Sequence, residues 1–538
     1  MPVIANSFVF SGTGLHSWVA FLMLLCPATL VGLACLASQR RVSLDWVWKI
    51  AQTGAVLAIV TALLSGFGVW STGAVSVSCS AYLPTLRLDA LSSLMQLLTA
   101  FLGWVVLRYS RHYLAGDQGV RRYFIWLSLT LANVWFLVTF NNLLLVCLSW
   151  SVSSLTLHQL LIFYKNRPAA LFAAHKKFII SRAADVLTWV ASLLVYLQLG
   201  TLQIEQISRA LAQLPQTPGG IEIAALLFAF SAILKCAQLP FHGWLLQVME
   251  APTPVSALLH AGIVNIGGFI LLRLVSLIEA APAAQMLLVI IGSMTASLAA
   301  LVMMTRISVK VTLAWSTCAQ MGFMLLEIGL GAYSLALLHL LAHSLYKAYA
   351  FLSAGETVAQ QSMLQIAPAN QTLDLMQHTI AVVGLLLSVV LAGWLTGLDP
   401  RHEPAIWVLG GVLAGSLLPL VSAPVGVRVW RQVVLLVFQA FGLVVLYGTW
   451  HFIFARLIPS SEKQASIFNL TVAGVWLAGL LIVQQIVLSQ PQGALSRWLH
   501  PRAFAGFHLD EFVTHLILRL WPIRIFTPAI NQSSKEIL

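Results

Sequence analysis

Apolar runs of 18–25 residues, separated by short polar stretches, recur along the whole chain. Each is long enough to cross the roughly 30 Å of hydrocarbon in a bilayer. Fifteen such runs lie near 17–37, 49–70, 88–108, 122–140, 142–164, 176–199, 221–241, 254–278, 285–304, 308–330, 332–354, 375–397, 405–424, 432–455 and 466–489. The runs are continuous rather than alternating, so the pattern predicts membrane-spanning α-helices and argues against a β-barrel. The polar interruptions are short, with no linker that would separate two domains. The expected organisation is one transmembrane domain, 1–489, and a cytoplasmic tail, 490–538. In the tail, His508–Leu520 (HLDEFVTHLILRL) places Leu509, Phe512, Leu516 and Leu520 on one helical stripe. That predicts an amphipathic helix lying along the membrane or docking a partner.

Composition strengthens this picture. The 538 residues are 59% hydrophobic and 9% charged, against about 25% charged in soluble domains. The net charge of +12 is a topology signal rather than a sign of nucleic-acid binding. Loops on alternate sides carry sixteen and six Lys/Arg, and the richer side is expected to be cytoplasmic. This places the N-terminus outside and the tail inside, with some attraction to anionic lipid. The N-terminus lacks the positive region of a cleavable signal. The six cysteines (26, 35, 79, 147, 236, 318) are scattered without metal or redox spacing and read as packing residues. No nucleotide loop, haem or iron–sulfur signature or nucleophile motif is present. Neither a metal site nor a cofactor is expected in this chain, and covalent catalysis is not expected of it.

The candidate chemistry lies in charges at membrane depth. Ala225–Pro240 reads ALLFAFSAILKCAQLP, with Lys235 as its one charge. A lysine there costs at least about 2.5–3.5 kcal/mol, so it marks an ion path. Pro252 and Pro254 then break the backbone, and His260 opens the next span. In the eleventh span (SLALLHLLAHSLYKAYAFLSAGE), His339, His343 and Lys347 recur every four residues and share one helix face. Histidine titrates near neutral pH and suits relay work. Arg182 and Asp185, three residues apart, form a structural ion pair, or else Asp185 is the acid that acts on Lys235. Glu250 lies just before the proline break. His158, Lys310, Glu327 and Glu356 are further polar points in or near spans. The blocks 122–278 and 285–424, each with a buried basic helix and an interrupted span, suggest two inverted five-helix repeats.

The segment Lys235–Arg273 (KCAQLPFHGWLLQVMEAPTPVSALLHAGIVNIGGFILLR) resembles the antiporter-type subunits of respiratory complex I and the large subunit of Mrp sodium/proton antiporters. Further matches are Arg87–Ser92, Asn141–Leu145, Arg182–Asp185, Lys310 with Ser316–Gly322, and His339–Lys347; together they cover about 80–490. The resemblance implies that Lys235 is the central proton-carrying lysine and that His260 links two half-channels. It assigns Lys310, His339, His343 and Lys347 to a second path. Two departures stand out. Trp150 is followed by Ser151, where the respiratory subunits carry a glutamate, and the twelfth span has no lysine.

With these departures and a short tail, the chain most resembles the membrane subunit of the DAB inorganic-carbon accumulation system. That resemblance implies an ion-translocating subunit in a bacterial inner membrane, driven by a proton or sodium gradient. It also implies a large cytoplasmic partner resembling a zinc β-carbonic anhydrase, which would hydrate CO2 to bicarbonate. The partner is expected on the cytoplasmic face and the 490–538 tail. The alternative is a proton-pumping subunit of an NADH:quinone oxidoreductase or an Mrp-type antiporter.

Overall fold

A computed structural model describes residues 15–39, 41–78, 85–356, 370–371, 375–397, 401, 403–415, 423–424, 429–455, 465–490 and 492–521. The architecture is all-α, as lipid demands. With no water to satisfy backbone N–H and C=O groups, a spanning segment bonds within itself. The described parts of the apolar runs are largely helical, apart from a two-residue strand at Ala423–Pro424. Eleven helices are long and apolar enough to cross a membrane among the described residues. Their outer faces leave large apolar side chains uncovered, such as Trp70, Leu197 and Phe438, 83%, 67% and 72% exposed, as a lipid-facing surface requires.

The first helices are α1 (Leu15–Ser38), α2 (Leu44–Thr72), α3 (Ala90–Tyr113), α4 (Val120–Thr139) and α5 (Leu143–Leu161). The chain continues through α6 (Pro168–Leu199), the short α7 (Ile204–Gln213) and α8 (Gly219–Lys235). Asp89 and Asn142 cap α3 and α5, accepting hydrogen bonds from the first-turn amides Ser92 and Leu144. Where hydrocarbon ends, an antiparallel hairpin forms from β1 (Val75–Ser78) and β2 (Thr85–Leu88), Val75 facing Leu88. Burial alone would raise the Asp89 carboxyl's pKa. The Arg273 and Arg87 guanidiniums and the Ser92 N–H outweigh it and hold the group below the ordinary aspartate range.

The proline run breaks the chain as expected. After α8 come α9 (Gly243–Gln247), α10 (Thr253–Ala261), α11 (Ile266–Arg273) and α12 (Val275–Glu279). The run expected as one span near 254–278 is thus three helices, with Gly262 outside helical geometry between the first two (φ −121°, ψ −68°). Next come α13 (Pro282–Met303), α14 (Val309–Gly329) and α15 (Tyr333–Leu352). The α13–α14 pair crosses at glycines: a Cβ on Gly292 would lie 2.6 Å from the Gly322 carbonyl oxygen, the close approach small residues allow between membrane helices. The last spans are α16 (Leu375–Thr396), α17 (Pro404–Gly415), α18 (Val429–Ala455) and α19 (Ile467–Ser489).

The tail folds as α20 (Ala494–Phe504) and α21 (Leu509–Leu520), and it does not hang free. α21 buries Val513 and Ile517 and packs against α6. Of the stripe expected from the sequence, Leu509 packs against the core, while Phe512, Leu516 and Leu520 face outward, 72%, 45% and 72% exposed. The tail touches Lys176, Gln247 and Arg306, all at the face where the Lys/Arg count places the cytoplasm. The contacts and the charge count therefore agree on which side the tail lies.

Candidate ion pathway

The first cluster forms where α5, α6 and α8 pack. Lys235 is the last residue of α8, held at a helix C-terminus where the backbone dipole favours a cation. Its Nζ lies 2.5 Å from Asp185 Oδ1, and Arg182 Nη2 lies 2.7 Å from Asp185 Oδ2. The two roles weighed for Asp185 are one arrangement, a single carboxylate bridging two cations. Trp150 closes the site from α5, its ring centroid 3.9 Å from Lys235 Nζ, a distance at which a desolvated cation is attracted to the ring face. Ser151, in the position of the respiratory glutamate, donates its hydroxyl to the Cys147 carbonyl oxygen at 2.9 Å. Lys235 therefore takes its carboxylate from α6 rather than α5.

Lys177 belongs to this cluster, and the sequence pattern missed it. It stands at the edge of the span expected to start at 176. Because α6 starts at Pro168, Lys177 sits more than two turns inside the helix, 3% exposed. Its Nζ donates to the carbonyl and hydroxyl oxygens of Ser154, both at 2.7 Å. Lys176, beside it, points to the cytoplasmic end and pairs with Asp510 of the tail. A start signal for α6 does exist in Pro168, a favoured first-turn residue.

The second cluster lies on α15. His339, His343 and Lys347 share a face, with the two imidazole centroids 6.2 Å apart. His339 Nδ1 lies 2.9 Å from Glu327 Oε2 of α14. Lys347, 1% exposed, donates to the Leu313 carbonyl oxygen at 3.2 Å and to the Ser316 hydroxyl. His260 of α10 lies beside the second cluster, stacking on Phe351 of α15 with centroids 4.4 Å apart. Both ring nitrogens of His260 and of His343 are buried without a protein hydrogen-bond partner among the described residues. An imidazole left this way costs about 1–3 kcal/mol, so two of them close to a buried lysine favour a route for protons or water over inert packing.

Lys310 donates to the Thr253 hydroxyl at 3.0 Å, at the start of the broken helix. Glu250 lies apart from both clusters. It pairs with Arg167 at 3.2 Å, and both side chains are about half exposed, an arrangement that contributes about 0–1 kcal/mol. No group of three or more His, Cys, Asp or Glu could hold a metal ion among the described residues.

The chain has relatives among known membrane proteins. Residues 140–424 match the model of the NADH:quinone oxidoreductase/Mrp antiporter membrane family, and 81–124 match that of the complex I chain 5 N-terminus. The chain is similar to a probable inorganic carbon transporter subunit DabB of Hydrogenovibrio crunogenus, 38% identical over 97% of this chain and 99% of the relative. It is similar to the probable subunit DabB2 of Halothiobacillus neapolitanus, 35% identical over 91% of each. NADH-quinone oxidoreductase subunit L of Escherichia coli is 32% identical over 63% of this chain and 55% of that protein. The fold is shared with a chain of the Mrp complex from Dietzia at TM-score 0.57 and 22% identity, over 95% of this chain and 58% of that one.

Proposed function

Because this chain belongs to the family of DabB inorganic carbon transporter subunits, within the NADH:quinone oxidoreductase/Mrp antiporter membrane proteins, we propose that it passes a cation down its gradient to drive inorganic carbon accumulation. The observation that carries this reading is the buried Arg182–Asp185–Lys235 bridge beside Trp150. A lysine that shares its acid with an arginine can lose a proton, or yield the acid to another cation, at modest cost. A well-paired lysine could do neither as readily. His260 then leads toward the His339–His343–Lys347 face. Repeats 122–278 and 285–424 would each house one half of the path. Lys310 would serve its cytoplasmic mouth, and Glu250, from its surface pair, would contribute charge there.

The energy suffices. A monovalent cation crossing about 150 mV releases roughly 3.5 kcal/mol, and a tenfold concentration ratio costs about 1.4 kcal/mol. One ion per turnover therefore sustains a ratio of more than a hundred. CO2 hydration would belong to a large cytoplasmic zinc protein resembling a β-carbonic anhydrase, with this multi-pass chain in a bacterial inner membrane. The bilayer is the chain's other partner.

Lys235→Gln is the direct test. In cells that depend on the complex for growth in air, the variant should assemble yet lose uptake of labelled inorganic carbon, along with its sensitivity to an uncoupler. Full uptake in the assembled variant would leave only a scaffold. Copurification with flavin and iron–sulfur subunits would instead favour the respiratory alternative.

The outward stripe of α21 (Phe512, Leu516, Leu520) and Trp521 offers the partner an apolar surface at the cytoplasmic face. Ending the chain after Ser489 should abolish copurification of the zinc protein; an intact complex would place the docking surface elsewhere.

A further inference from the structure

A second chain of titratable groups, running from α15 to the opposite face, is not used by the path described so far. Glu327, 1% exposed, takes the His339 ring on Oε2 at 2.9 Å and the Tyr447 hydroxyl of α18 on Oε1 at 3.4 Å. Tyr447 and His451 are four residues apart on α18 and so lie on one face. His451 Nδ1 lies 2.7 Å from the Ser334 hydroxyl, and its Nε2 lies 3.1 Å from Glu403 Oε1. Glu403 directly precedes α17, and its side chain is 38% exposed.

The order of these groups follows the membrane normal. Ser334 opens α15 and Lys347 lies near its other end, thirteen residues and thus about 20 Å along the axis. The end bearing Ser334, His451 and Glu403 is the one the Lys/Arg count places outside. A cavity of about 520 Å³, walled mostly by apolar side chains, brings Gln320, Glu327, His339, Tyr447 and Gln484 to one border. The ion pair made by Glu327 is with a titratable histidine, so the carboxylate can accept a cation without displacing a fixed charge.

Building on the translocation reading above, we propose that the cation passes between the α15 cluster and the extracytoplasmic surface through Glu327, Tyr447, His451 and Glu403. These groups form the outer half of the path. His451 and Glu403 form its mouth, and Glu327 is the inner acid that receives the ion.

In the full complex, Glu327→Gln and His451→Gln are each expected to lower gradient-driven inorganic carbon uptake about tenfold or more, with the chain present in membranes at its usual level. Wild-type uptake in both, beside an inactive Lys235→Gln, overturns this outer route and leaves translocation standing. Wild-type uptake in all three overturns translocation itself. Access supplies a readout that does not depend on activity. His451→Cys is expected to react with a membrane-impermeant, positively charged thiol reagent faster from outside than in inside-out vesicles. Labelling that is absent, or faster from the cytoplasmic side, overturns the route.

Discussion

Asp185→Ala is expected to destabilise the membrane domain by about 3–5 kcal/mol and to abolish gradient-driven uptake. The carboxylate is shared, so one substitution strips two cations of their acid at once. Arg182 keeps a second acceptor, the Ser151 carbonyl oxygen at 3.4 Å, and its side chain is 30% exposed, while that of Lys235 is 6% exposed. The cost should show as a lower midpoint of thermal inactivation in detergent. The double variant Asp185→Ala with Lys235→Met separates stability from function. Removing both charges should bring the midpoint back near wild type, since an apolar pair often replaces a buried ion pair without loss. Uptake should stay absent. A single variant as stable as wild type would mean that Lys235 is not held by Asp185.

Gly243→Ala is expected to release the tail from the membrane domain. A Cβ on Gly243 would sit 1.6 Å from Asp510 Oδ1 and 2.0 Å from its Cγ, and no rotation of a methyl group relieves that overlap. The Asp510 carboxylate must swing out of this position, and its partner Lys176, whose side chain is fully buried, would then lose its ion pair. Losing one partner of such a pair costs about 3–5 kcal/mol. Gln247, which donates to Asp510 Oδ2 at 3.2 Å, loses its contact as well. Limited proteolysis from the cytoplasmic side reads the outcome: cleavage near 490–508 should become rapid in Gly243→Ala and intermediate in Asp510→Asn. The latter keeps the shape but loses the charge. A tail equally protected in both variants would show that α20 and α21 are held by their apolar contacts alone.

The same two places mark where sequence reasoning succeeded and where it stopped. Lys235 was legible because a charge inside an apolar run is costly wherever the run ends up. The proline break was legible because Pro252 and Pro254 constrain their own backbone. The shared face of His339, His343 and Lys347 followed from helical period alone. Of the groups that oppose them, Asp185 was legible as one of two alternatives, and the others were not. Asp185 is 50 residues from Lys235, and Asp510 is 334 from Lys176. Glu327, singled out only as one polar point among several, acquires its meaning from His339 across the α14–α15 contact and from Tyr447, 120 residues on. In the tail, the apolar stripe was read correctly as a stripe, yet the helix buries Val513 and Ile517 beside it.

The sequence by itself determined that the chain spans a membrane as helices, where those helices break and which basic groups they carry into hydrocarbon. All of this is decided locally, because lipid satisfies no backbone hydrogen bond and accepts no charge without cost. Only the tertiary structure decided which acid neutralises which base and which face of α21 turns inward. Pairing energies act through space between distant helices, and helical periodicity names a face without naming its neighbour.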